Sequence, residues 1–267
     1  MSWLSVSAAF AATLHLMGPL RSADPIVVAQ APATPATSPT PKAEANAATA
    51  PSQAKGTGKT DAKLDALVDS IQKTYDGTRT FKGQFLQRYT YTLLHRTQES
   101  KGSVVFEKPG RMRWDYKEPQ AKSFIVDGKS LWIYQPVDKV AYVNACFQQD
   151  GLTASVAFLW GQGKLKEQFD ISWFDGVFGD KSDHHLLLSP RSANSIFARL
   201  ILVVDPKSSR VKQSIVVDPA GNVNQFVYSG LSFNAPVDAS TFAFTPPPGI
   251  NTQRMPGTCP DAVAGVP

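Results

Sequence analysis

The sequence predicts an α+β chain: a strongly curved, incomplete antiparallel β-barrel of about ten strands, its concave apolar face capped by two or three helices. Three observations carry this expectation. From Thr80 onward, apolar residues tend to recur at every second position, the period of a strand with one buried face. Turn signals at Lys108-Pro109-Gly110, Glu118-Pro119, Asp127-Gly128, Asp205-Pro206 and Asp218-Pro219-Ala220-Gly221-Asn222 punctuate the runs. Helical spacing is confined to one segment before the strands and one in their midst. So many strands with so little helix must curl or be covered to hide an apolar face.

The elements follow in order. Asp61 is a plausible N-cap, and Leu64, Leu67, Val68, Ile71 and Tyr75 then recur at helical spacing until Gly77. From Thr80 the period changes to two, with Phe81, Phe85, Tyr89 and Tyr91 on alternating positions. A second strand near 99–107 pairs with it. The third divides cleanly: Met112, Trp114 and Tyr116 point one way, and Arg111, Arg113 and Asp115 the other. Two further runs end near Asp127 and Tyr134, and residues 139–144 add a short strand. Residues 152–161 break the pattern, placing Leu152, Val156, Leu159 and Trp160 on one helical face. Strands resume near 169–174, 184–189, 197–205, 210–218 and 222–233.

Composition bounds the function. The chain has 267 residues and a net charge of +5, too small and dispersed an excess for nucleic acid. No apolar run reaches the roughly 18–20 residues of a membrane span. Residues 1–28 read as a secretory signal, apolar and free of formal charge over 3–20, with Ala29-Gln30-Ala31 in the A-x-A form. No Lys or Arg precedes that run, and Pro32 follows the site. Residues 29–60, rich in Ala, Pro, Thr and Ser without one aromatic, read as a disordered linker. The folded domain is expected over 61–250, with a tail at 251–267. In an exported chain, the two cysteines favour a Cys146–Cys259 disulfide stapling that tail.

Signals for catalysis are weak. Asp183-His184-His185 places adjacent side chains on opposite faces of a strand, a poor metal site. No nucleophile elbow, zinc helix or phosphate loop is present. Asp127, Asp205 and Asp218 sit at turns, where capping explains them. The expectation is no enzyme, no metal and no cofactor. What remains is binding. Phe85, Phe106, Met112, Trp114, Tyr116, Phe124, Trp132 and Tyr134 are candidate lining residues. A ring-lined sheet is either a packed core or an apolar cavity, and the residues alone leave both open.

The motifs K-P-G-R-M-R-W-D-Y-K-E-P at 108–119, I-V-D-G-K-S-L-W-I-Y-Q-P at 125–136 and F-A-F-T-P-P-P-G at 242–249 resemble those of the outer-membrane lipoprotein carrier family, LolA. Order, spacing and the leading helix agree across about 61–250. The resemblance implies an unclosed barrel with a helical lid over a cavity for acyl chains. It implies a monomeric periplasmic chaperone, not an enzyme. Such a carrier takes triacylated lipoproteins from an inner-membrane ABC transporter to an acceptor on the outer membrane. Leu64, Leu67, Ile71, Val156, Leu159 and Trp160 would form the lid. One position departs from the pattern. The family often has arginine before Pro-Gly, where it hydrogen-bonds to the lid region. Lys108 stands there and would be the latch, with the same charge but without the planar fork. The rival readings are a sensor or an enzyme binding another hydrophobic ligand on the same half-barrel. The outer-membrane acceptor of this fold would need an N-terminal lipidated cysteine.

Overall fold

The computed structural model describes residues 61–147, 164–192, 195 and 197–255. Residues 1–28, 29–60, the segment with Val156, Leu159 and Trp160, and Cys259 lie outside the described residues. The first element is α1 (Ala62–Asp76). The Asp61 carboxylate accepts the Lys63 N–H at 3.0 Å, capping the helix, and Lys73 lies in the last turn, where a cation suits the helix dipole.

Strands then run as β1 (Thr80–Tyr91), β2 (Arg96–Glu107), β3 (Arg111–Glu118), β4 (Lys122–Asp127), β5 (Leu131–Gln135) and β6 (Val140–Asn144). A single helical turn, α2 (Leu165–Gln168), leads into β7 (Phe169–Trp173). There follow β8 (His184–Pro190), β9 (Arg199–Val204), β10 (Val211–Val217), β11 (Val223–Phe233), a 3-10 turn (Ala239–Phe242) and β12 (Asn251–Arg254). All twelve strands form one sheet in the order β12-β6-β5-β4-β3-β2-β1-β11-β10-β9-β8-β7. Among the described residues the two outermost strands, β12 and β7, do not pair, so the curled sheet stays unclosed. All pairings are antiparallel except β12 on β6.

The turn chemistry is as the sequence suggests. The carboxylate of Asp127 accepts the N–H groups of Lys129 and Ser130, that of Asp205 those of Lys207 and Ser208, and that of Asp218 the N–H of Asn222.

The sequence expectation is exceeded at the C-terminus. Residues 251–254, expected in a tail, extend the sheet as β12. Asn251, Thr252, Gln253 and Arg254 are all polar and carry no apolar period, so the pattern alone does not reveal them. They are recruited by the open edge of β6, whose backbone groups need partners.

The sheet buries both faces. The inner face, under α1, carries the largest apolar cluster, running from Phe85 and Trp114 across to Leu186, Leu188, Leu200 and Leu202. The outer face carries two smaller ones. Ile125, Trp132, Ala141 and Val143 lie with Tyr134, Phe244 and Ile250. Ile201, Val203, Ile215 and Val217 lie with Phe174, Phe178, Leu187 and Val223. The polar face of β3 helps fasten the chain's return across the outer face. Arg113 donates to Asp115 at 2.7 Å and to the Thr241 carbonyl at 3.1 Å, and Asp115 also accepts from Ser123.

Candidate functional site

The inner face of β1–β4 is built from rings. Phe85 contacts Trp114 with centroids 5.1 Å apart, Tyr116 edge-on at 5.0 Å and Phe226 at 5.8 Å. Phe81 stacks on Phe106 at 4.6 Å. Strand register explains the assembly, since Trp114 lies opposite Val104 on β2 and Phe124 on β4. Gly102, opposite both Phe85 and Tyr116, leaves room for the Phe85 ring. A Cβ there would run into that ring and into the Asp115 carbonyl.

Six of the eight sequence-predicted lining residues come together in this cluster: Phe85, Phe106, Met112, Trp114, Tyr116 and Phe124. Trp132 and Tyr134 do not. They stand on the outer face against Phe244, at centroid distances of 5.3 and 5.1 Å. The reason is parity. Residues 131–134 are apolar on both faces, and Leu131 and Ile133 are the inward pair. Phe81, Phe226 and Tyr228 also border the ring cluster and were not in the sequence-derived set. Phe226 and Tyr228 could have been found by the period-two alternation of β11.

Helix α1 covers this face. Ile71 is fully buried, Val68 and Tyr75 nearly so, and Leu64 and Leu67 pack against the same cluster. Among the described residues, then, the lid candidates on α1 lie on the candidate lining, and the concave face is filled by the protein's own side chains. Full burial of each such side chain contributes about 1.5–3 kcal/mol.

Polar ties to α1 are unevenly distributed. On the β7–β10 side, Trp173 donates its indole N–H to Asp61 at 2.6 Å. Gln72 accepts the Leu165 N–H at 2.9 Å, Ser70 and Ser209 share a 2.7 Å hydrogen bond, and the Tyr75 hydroxyl accepts the Val211 N–H at 3.1 Å. Lys166 pairs with Asp65 and Asp69. From the β2–β3 side, among the described residues, Lys108 makes a tie. Its ammonium donates to the Tyr75 carbonyl and, at 3.4 Å, to that of Asp76. Those are end carbonyls of the helix, at the negative end of its dipole, and that of Tyr75 also accepts the Thr78 N–H at 3.1 Å. Burial pushes the Lys108 pKa down, and the nearby Asp76 opposes this.

Cys146 lies after β6, its N–H donating to Asn144 at 3.0 Å. Among the described residues no group of three or more His, Cys, Asp or Glu side chains could hold a metal ion, and no helix is long and apolar enough to cross a membrane.

Comparison with known proteins places this geometry. The family profile described as outer membrane lipoprotein carrier protein LolA matches residues 76–245. An outer-membrane lipoprotein carrier protein of Cupriavidus pinatubonensis is 29% identical over 197 residues, covering 72% of this chain and 89% of its own length. That of Chromobacterium violaceum is 29% identical over 187 residues, covering 70% and 86%. Among solved structures, an uncharacterized conserved protein from Thermus thermophilus is similar with a TM-score of 0.46 at 12% identity, covering 72% of this chain and 99% of the other. A LolA superfamily protein from Nitrosomonas europaea gives 0.38 at 11% identity, covering 68% and 97%. With a profile that spans well over half its length and the named relatives agreeing, the chain belongs to the outer membrane lipoprotein carrier protein family, LolA.

Proposed function

We propose that this protein is a periplasmic carrier that shields the acyl chains of lipoproteins between α1 and the inner face of the sheet. It would take them from an inner-membrane ABC transporter to the outer membrane. The observation that supports this reading is the inner face itself: a ring-lined curved sheet on which α1 packs by apolar contacts, with Lys108 hydrogen-bonded to the end of that helix.

The energetics favour exchange of lid for cargo. Exposing an acyl chain to water costs about 0.8 kcal/mol per CH₂, so a chain of ordinary membrane length carries about 10 kcal/mol. Freeing Val68, Ile71 and Tyr75 costs roughly 5–9 kcal/mol. One chain therefore offsets the opening, and further chains supply the surplus. Apolar contact is non-directional, so chain length is not fixed. Because the empty protein closes on itself, cargo leaves against a smaller net energy than its burial alone implies.

The polar ties would make α1 a flap hinged on the β7–β10 side and latched by Lys108 on the other. Residues 1–28 would direct export, and Cys146 with Cys259 would staple the C-terminal tail. The cargo is triacylated lipoprotein, and the protein acts as a monomer without cofactor or catalysis.

The test is release of a tagged lipoprotein from spheroplasts. Added protein is expected to bring the acylated form, and not an unacylated variant, into the soluble fraction as a complex. Failure to solubilise the acylated form would reject the carrier reading.

A further inference from the structure

The inner face carries hydrogen-bonded polar pairs, Gln87 with Asn224 and Ser214 with Tyr228, and apart from them two neighbouring positions on β3 and β4, Trp114 and Lys122. Trp114 is 7% exposed, and its indole N–H is buried with no hydrogen-bond acceptor. Its ring neighbours are Phe85, Phe106 and Phe226, which offer only π faces, weak substitutes for an oxygen acceptor. Lys122 is half-buried and, among the described residues, makes no ion pair. Its ammonium lies over the Tyr116 ring, 4.5 Å from the centroid.

Register puts these groups together. Trp114 is opposite Phe124, and Tyr116 is opposite Lys122. Residues two apart on a strand share a face, so Trp114, Tyr116, Lys122 and Phe124 form one inward-facing quartet. Trp114 and Lys122 are its diagonal pair, about 7–8 Å apart at the backbone and closer at the side chains. Sheet packing alone gives no reason for an unpaired indole N–H beside a half-buried ammonium on this face, because an unsatisfied buried donor destabilises the closed form.

We propose that Trp114 and Lys122 form a head-group anchor that takes the ester carbonyl oxygens at the head of a bound acyl chain. The inference rests on the acyl-carrier reading and deepens it. The greasy part of the ligand lies along Phe85 and its neighbours, and the anchor fixes how deep the chains enter. A ligand that supplies an acceptor relieves the unpaired indole N–H of the closed form, so the same atom favours exchange of lid for cargo. The carbonyl need carry no charge, which suits a site whose one cation is already desolvated by burial.

The test uses the full chain and two synthetic lipopeptides of equal chain length. One carries two palmitoyl esters on a glyceryl-cysteine, and the other carries the corresponding dihexadecyl ethers. Wild type is expected to bind the ester about 5–20-fold more tightly, the yield of two hydrogen bonds. Trp114→Phe and Lys122→Met each should lose most of that preference, read within each variant as the ratio of its ester to its ether affinity. In parallel, the indole N–H resonance of Trp114 in ¹⁵N-labelled protein should move downfield with the ester and not with the ether, a readout that does not depend on variant folding. Equal binding of ester and ether by wild type, or an unmoved indole resonance, would overturn the anchor. Binding of neither ligand would overturn the carrier reading beneath it.

Discussion

Replacing Lys108 by leucine would remove the proposed latch while keeping the hydrogen bonds of α1 to the β7–β10 side. The structure sets the magnitude. The ammonium contributes a charge-assisted hydrogen bond to the Tyr75 carbonyl, a longer one to Asp76 and a favourable charge at the helix C-terminus. Partial solvent exposure discounts these to a sum of about 1–2 kcal/mol. Two consequences of opposite sign follow. The empty protein should melt about 2–8 °C lower, at roughly 2–4 °C per kcal/mol for a domain of this size. Acyl ligand should bind about 5–30-fold more tightly, because the closed state that competes with cargo is weakened by the same free energy. Release to an acceptor slows in proportion, so release is impaired more than loading. Differential scanning calorimetry of the empty protein and titration with a fluorescent palmitoyl lipopeptide read the two effects on one preparation. Lys108→Arg, which restores two donors, should reverse both shifts. A lower melting temperature with unchanged or weaker ligand binding would refute the latch, leaving Lys108 a cap on α1 and nothing more.

Four further outcomes follow from particular contacts. Burial holds the Lys122 pKa at about 8, below the ordinary 10.5. Between these values the unfolded chain keeps a proton that the folded chain has lost, so stability should rise by up to about 2 kcal/mol as pH increases from about 8 to 10. Denaturant melts should lose that rise in Lys122→Met, and an unchanged slope would refute the assignment. Phe244→Ala opens the outer cluster beside Trp132 and Tyr134, so it should cost about 1–2 kcal/mol in chemical denaturation while leaving acyl ligand affinity unchanged; weaker ligand binding would return those rings to the lining. Gly102→Ala drives a Cβ into the Phe85 ring and the Asp115 carbonyl, and should cost about 1–3 kcal/mol with loss of ligand affinity; a wild-type melting curve would contradict the packing. Peptide mapping without reductant should recover Cys146 linked to Cys259 from exported protein, and two titratable thiols would reject the staple.

How much could be read in advance depended on how each strand divides its faces. On β3 the alternation of Arg111, Met112, Arg113, Trp114, Asp115 and Tyr116 assigns every side chain to a face, and burial follows it residue by residue. The ring cluster was legible for that reason, whereas α1 was read from its helical spacing and Lys108 from the resemblance carried by its motif. On β4, β5 and β9 the runs are apolar on both faces because the outer face is covered too. A period of two then fixes which residues share a face but not which face is inner, and Trp132 and Tyr134 were placed on the wrong side. What covers the outer face, the chain around Phe244 and around Phe174–Phe178, has no period, since its position is set by tertiary contact. β12 escaped for the same reason. The uneven tethering of α1 was also illegible, because Ser70 with Ser209 and Tyr75 with Val211 join positions more than 130 residues apart.

The central claim, that the inner face exchanges its own lid for acyl chains, is tested most directly by native mass spectrometry. The protein would be taken from the periplasm of cells co-expressing a triacylated lipoprotein and sprayed without detergent. The account predicts a one-to-one complex that disappears when the lipoprotein's acylated cysteine is replaced. An empty protein whatever the acylation state would contradict it, and would make the rings around Phe85 and Trp114 an ordinary packed core.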